Sequence, residues 1–111
     1  MAVRTEKDML AEIHPGEFLR EDFMKPLGLS INALALALRV PATRISEIVN
    51  ERRGITTDTA LRLGRYFRTT ADFWVNMQRA YELAVAKKRL LPKINKEVMP
   101  RSKTLTRQNV A

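Results

Sequence analysis

The chain has no cysteine and only one histidine among its 111 residues. The first absence excludes a disulfide framework, a thiolate metal site and a cysteine nucleophile together. The histidine, His14, stands before Pro15 without a second imidazole or a thiol to share a metal ion. Four glycines, widely spread, cannot form a phosphate-cradling loop. No Ser-His-Asp arrangement can be assembled either, so the chain reads as a non-enzyme with no cofactor, metal or small-molecule ligand. Long apolar runs are also missing. The longest, Ala33 to Leu38, falls far short of the roughly 20 residues that span a bilayer. Met1 to Ile13 mixes charged with apolar residues and lacks a signal-peptide core, which predicts a cytoplasmic protein.

Apolar residues make up 45% of the chain, enough for one compact domain. The formal charge of +8 is distributed unevenly. Residues 1–86 carry 12 Lys/Arg against 11 Asp/Glu, whereas residues 87–111 carry eight basic groups against Glu97 alone. The body is nearly neutral, and a basic end supplies the excess. Such an end suits a polyanion, usually nucleic acid, or else simply keeps the chain soluble. The expected organisation is an N-terminal arm (1–12), a helical domain (13–87) and a flexible basic C-terminal tail (88–111).

Proline and glycine divide the domain into five helical segments. Pro15-Gly16 opens the first, which carries Leu19, Phe23 and Leu27 at i, i+4 spacing and is expected to end at Pro26. Ser30 is a good N-cap for a second helix, Ile31 to Leu38, with Leu34, Ala35 and Leu38 as its apolar stripe. A third follows the connection Arg39-Val40-Pro41 and runs from Ala42 to Asn50, with Ile45, Ile48 and Val49 inward. Thr56 caps a fourth through Phe67, and Thr69 or Thr70 caps a fifth. Beyond Lys87 the apolar pattern weakens, and Pro92 and Pro100 are expected to break any longer helix. The fold class is therefore all-α.

Two short helices joined by a tight turn inside such a domain have helix-turn-helix geometry. Leu34, Ala35 and Leu38 face Val40, Ile45 and Ile48 across the turn, with Ala35 small where the helices cross. The outer positions of the third helix, the second of the motif, are Ala42, Thr43, Arg44, Ser46, Glu47 and Asn50, all small or polar. Such side chains suit base edges, whether a methyl against thymine or a carboxylate accepting from cytosine N4. Asn50, Arg52 and Arg53 follow, where phosphate contacts would fix register. Offsets alone also fit an ordinary helical hairpin with a solvated face.

The segments Ile13-His14-Pro15-Gly16-Glu17-Phe18-Leu19, Pro26-Leu27-Gly28-Leu29-Ser30 and Val40-Pro41-Ala42-Thr43-Arg44-Ile45 resemble the HigA antitoxins. This group is also called virulence-associated protein I and belongs to the Xre-type regulators. Ile48-Val49-Asn50, Arg53-Gly54-Ile55-Thr56, Asp58 to Leu63, Tyr66-Phe67, Phe73-Trp74 and Asn76-Met77-Gln78 continue the resemblance through about residue 85. It implies a compact, five-helix, lambda-repressor-like domain acting as a homodimeric repressor of its own operon. It further implies a partner, a HigB/RelE-like mRNA endonuclease toxin, alongside double-stranded operator DNA. By position, Ala42, Thr43, Ser46 and Glu47 would read bases. Ser30, Asn32, Arg44, Asn50, Arg52 and Arg53 would touch the DNA backbone. Where the family usually has glycine, this chain has Glu51.

The fifth helix offers Trp74, Met77, Tyr81 and Val85, more apolar surface than one small core needs, and these are expected at a dimer interface. The acids Glu6, Asp8, Glu12, Glu17, Glu21 and Asp22 form a candidate face for a basic toxin, or merely complement the first helix dipole. Rival readings are a stand-alone Xre-type regulator without a toxin and an interaction module that does not bind DNA. The composition of the third helix's outer face disfavours the latter.

Overall fold

A computed structural model describes residues 12–102 of the chain. Five helices and no strand occur among the described residues. Helix α1 comprises Pro15–Phe18, a π-helical stretch at Leu19–Met24 and a last turn at Lys25–Leu27. The helices α2 (Ile31–Leu38), α3 (Ala42–Val49), α4 (Thr57–Phe67) and α5 (Ala71–Glu97) follow. Four of the five starts have a side-chain cap. Ser30, Thr56 and Thr70 accept hydrogen bonds from the N–H groups of Ala33, Thr59 and Phe73. At the start of α1 the buried His14 does the same work, its Nδ1 accepting from Gly16 N–H at 2.9 Å.

Two helix ends differ from expectation. Pro26 does not stop α1, because the helix widens before it: Lys25 N–H reaches Arg20 O, five residues back. A π turn relieves the conflict between the proline ring and the carbonyl four residues earlier. Gly28, at φ 65°, then closes the helix in the left-handed conformation. Pro92 does not break α5, which continues to Glu97. Residues 87–102 are exposed, so water can take the carbonyl that Pro92 leaves unbonded, and Lys, Arg and Leu favour the helix. The expected domain boundary at 87/88 therefore falls inside one helix, and the first part of the basic tail is helical. Most of the arm (1–11) and the tail's end, including Lys103 and Arg107, lie outside the described residues.

The core gathers around Trp74, which is 0% exposed. Rings of Phe18, Phe23, Phe67 and Phe73 surround it at centroid distances of 5.1–6.4 Å. Its indole N–H donates to Thr69 Oγ1 at 2.9 Å, so burial leaves no polar atom unpaired. The apolar stripes of α2 and α3 complete the core with Leu34, Ala35, Leu38, Ile45, Ile48 and Val49.

Candidate nucleic-acid interface

Helices α2 and α3 meet so that their N-terminal ends open onto one surface concavity. Ser30, Ile31, Asn32, Ala42, Thr43 and Ser46 line it. Five of the ten residues singled out for DNA contact are thus side by side. Pro41 at the start of α3 offers no capping side chain, so no side chain of the cap competes with an outside acceptor there, although Arg44 N–H already donates to Pro41 O at 3.0 Å. Two helix dipoles present their positive ends at this opening, which favours phosphate.

The other candidates are engaged in ways that spacing alone does not reveal. Glu47 Oε1 and Arg53 Nη2 form an ion pair at 2.7 Å, joining a residue expected to read bases to one expected to touch phosphate. Asn50 donates from Nδ2 to Ser46 O at 2.8 Å and lies 3.4 Å from Ser46 Oγ, holding the end of α3. Arg52 is exposed beside them. Arg44 points towards α4, where Nη1 meets Asp58 Oδ2 at 2.7 Å. Asp58 also receives Arg62 Nε at 3.0 Å. Hydrogen bonds from Arg62 and then Arg44 hold its carboxyl below the usual carboxylate range.

Several residues that sequence reasoning did not single out position α3. Arg62 Nη1 donates to Leu38 O at 2.9 Å, closing the end of α2. Arg20 Nη1 donates to Val49 O and closes the end of α3. Gly16 packs so tightly there that a Cβ would lie 1.7 Å from Ile48 O. The loop after α3 hangs on Gln78, whose Oε1 accepts from Ile55 N–H at 2.8 Å while Nε2 donates to Glu82. Only Gly16 carried a readable signal, through its neighbour Pro15.

A helix-turn-helix is also what comparison with known proteins finds. The Helix-turn-helix family matches residues 21–74. Virulence-associated protein I of Dichelobacter nodosus is 57% identical over 86 residues, covering 78% of this chain and 80% of that protein. The chain belongs to the HigA helix-turn-helix family. Among solved structures, Pseudomonas aeruginosa antitoxin HigA with the higBA promoter is 47% identical, with a TM-score of 0.80 over 82% of this chain and 99% of that one. Antitoxin GraA in complex with its operator is 42% identical, with a TM-score of 0.78 over 81% and 91%.

This HigA-family fold corrects one expectation outright. Trp74 and Met77, assigned to a dimer interface, are core residues of the single chain, 0% and 6% exposed. Their burial needs no second subunit. Tyr81 is half-buried with its ring edge-on to His14 at 4.9 Å, and Val85 is half-buried too. The surplus apolar surface of α5 lies elsewhere on the helix. The proposed acidic face is also partly neutralised. Glu21 bonds to Arg20 at 2.8 Å and Lys25 at 2.9 Å, which lowers its pKa, and Glu12 pairs with Lys88. Glu6 and Asp8 lie outside the described residues. Among the described residues no helix is long and apolar enough to cross a membrane.

Proposed function

We propose that this HigA-family protein is a dimeric, sequence-specific DNA-binding antitoxin acting in the cytoplasm. It neutralises a HigB/RelE-like mRNA endonuclease and represses its own operon. The observation that carries the DNA-binding part is the shared opening of α2 and α3, lined by Ser30, Asn32, Ala42, Thr43 and Ser46. Ala42, Thr43, Ser46 and Glu47 enter the major groove. Ser30, Asn32, Arg52 and Arg53 hold phosphates, with Asn50 and Arg44 positioning α3 from its two sides. A single α3 reads only a few base pairs, so two subunits on half-sites about 34–36 Å apart supply the specificity. Likeness to antitoxins solved with promoter or operator DNA supports the same reading.

The toxin partner rests on the family alone. Co-expression with the small reading frame beside the gene tests it: growth arrest by that frame, relieved by this protein, is the expected result. A harmless neighbour, or toxicity that persists, leaves a stand-alone regulator. That second reading has its own support in the 44% identity over 69 residues to YbaQ of Escherichia coli, named as a transcriptional regulator.

A further inference from the structure

One carboxylate holds both helices of the motif. Asp58, in the first turn of α4, accepts at Oδ2 from Arg44 Nη1 of α3 at 2.7 Å and from Arg62 Nε at 3.0 Å. Arg62 then reaches across to Leu38 O at the end of α2. The network engages a cation where DNA would attract one. Arg44 directly follows Thr43, in the turn of α3 that opens onto the surface concavity. Successive residues are about 100° apart around a helix, so where Thr43 enters a major groove, Arg44 is turned towards its wall. That groove is about 12 Å wide, scarcely more than a helix with its side chains, which brings phosphates within reach of an arginine there. The Arg44 guanidinium is nevertheless directed to α4, and its side chain is only 28% exposed.

We propose that Asp58 is a specificity-determining residue: it withholds Arg44 from the DNA backbone and so keeps sequence-independent binding low. The inference rests on the DNA-binding reading above and assigns one residue's part in it. A phosphate contact strengthens binding to every sequence, because phosphates carry no base information. A contact made by Arg44 would also draw α3 towards one wall of the groove, away from the orientation in which Thr43 and Ser46 meet base edges. Operator DNA has that register to lose, and other sequences do not. Withholding Arg44 therefore lowers the competing affinity more than the specific one, and their ratio is what finds a site among many. Arg62 serves the same end from the other side, because its bond to Leu38 O ties the end of α2 to the carboxylate that restrains α3.

Salt titration of binding tests this, on operator DNA and on a scrambled duplex of the same length and composition. Each phosphate neutralised adds about 0.9 to the slope of log K against log salt. The nearly isosteric Asp58→Asn is expected to steepen the slope on scrambled DNA by about one such step. Affinity there rises several-fold at low salt, operator affinity rises less, and the ratio between them falls. Arg44→Gln in the otherwise unsubstituted chain is expected to leave the scrambled slope unchanged, and Arg44→Gln/Asp58→Asn to return it to the unsubstituted value. Three results overturn the inference while leaving the DNA-binding reading intact. They are an unchanged scrambled slope in Asp58→Asn, as a merely structural role would give, and a flatter slope in Arg44→Gln alone. The third is steepening that survives in the double variant, which would credit the lost carboxylate charge rather than the released arginine. An unsubstituted chain that binds operator no better than scrambled DNA overturns the DNA-binding reading and this inference together.

Discussion

Glu51 occupies a backbone conformation that suits glycine, and replacing it tests the strain there. Its φ is 62°, in the left-handed region that glycine enters without steric cost. An L-residue there carries about 1–2 kcal/mol of steric cost. Glycine removes that cost but gives back about 0.5–1 kcal/mol through the freer unfolded chain. The Glu51–Arg20 contact, 3.8 Å between partly exposed groups, adds little to the other side. Glu51→Gly is therefore expected to stabilise the fold by about 0.5–1 kcal/mol, raising the melting temperature by a few degrees. Glu51→Ala loses the same carboxylate while keeping the strain, so it is expected at or slightly below the unsubstituted chain. Urea denaturation of the three proteins, compared at equal m-value, separates strain from charge. If glycine and alanine variants shift together, the left-handed strain is not what Glu51 contributes, and the reasoning fails.

Three further outcomes follow from the geometry. Gly16→Ala drives a methyl into Ile48 O and is expected to cost about 3 kcal/mol or more in urea denaturation; a loss under 1 kcal/mol would mean that α1 and α3 separate easily. Burial holds the His14 imidazole below its ordinary value, so the unfolded chain takes up the proton first. Stability is then full above about pH 6.5 and falls as pH drops through the lower native value. His14→Gln is expected to flatten that slope, and an unchanged slope would assign it to other groups. On operator DNA, Thr43→Ala is expected to relax sequence preference by about 1–3 kcal/mol of discrimination at one base pair. Arg53→Ala should weaken all sequences alike, and footprinting that shows the reverse would move the reading helix.

What could be read from the sequence was whatever is encoded within a turn or two of helix. Leu34, Leu38, Ile45 and Ile48 announced their faces by spacing, and all four are buried. Ser30 and Thr56 announced helix starts by type. The departures share a cause, because they depend on partners distant in sequence or on conformations that leave no compositional mark. Arg39, Glu51 and Arg68 all sit at positive φ without being glycine, and so carried no turn signal. Arg20 reaches Val49, and Arg62 reaches Leu38, across more than 20 residues. Trp74 and Met77 have the spacing of an exposed stripe and of a core alike; only the packing of four phenylalanines around the indole decides between them. Pro92 misled for a different reason. A proline rule describes the cost of a missing hydrogen bond, which is small where water can replace it.

The buried amide of Gln78 has a consequence for how the two ends of the molecule communicate. Its side chain is the tether between α5 and the loop that carries Arg52 and Arg53, and it accepts the Ile55 N–H. Displacing α5 would strand that N–H in the interior at a cost of about 1–3 kcal/mol. The loop's position is thus a dependent variable of the helix's. Whatever seats α5 also sets where Arg52 and Arg53 stand, and linkage requires the influence to run equally in the other direction.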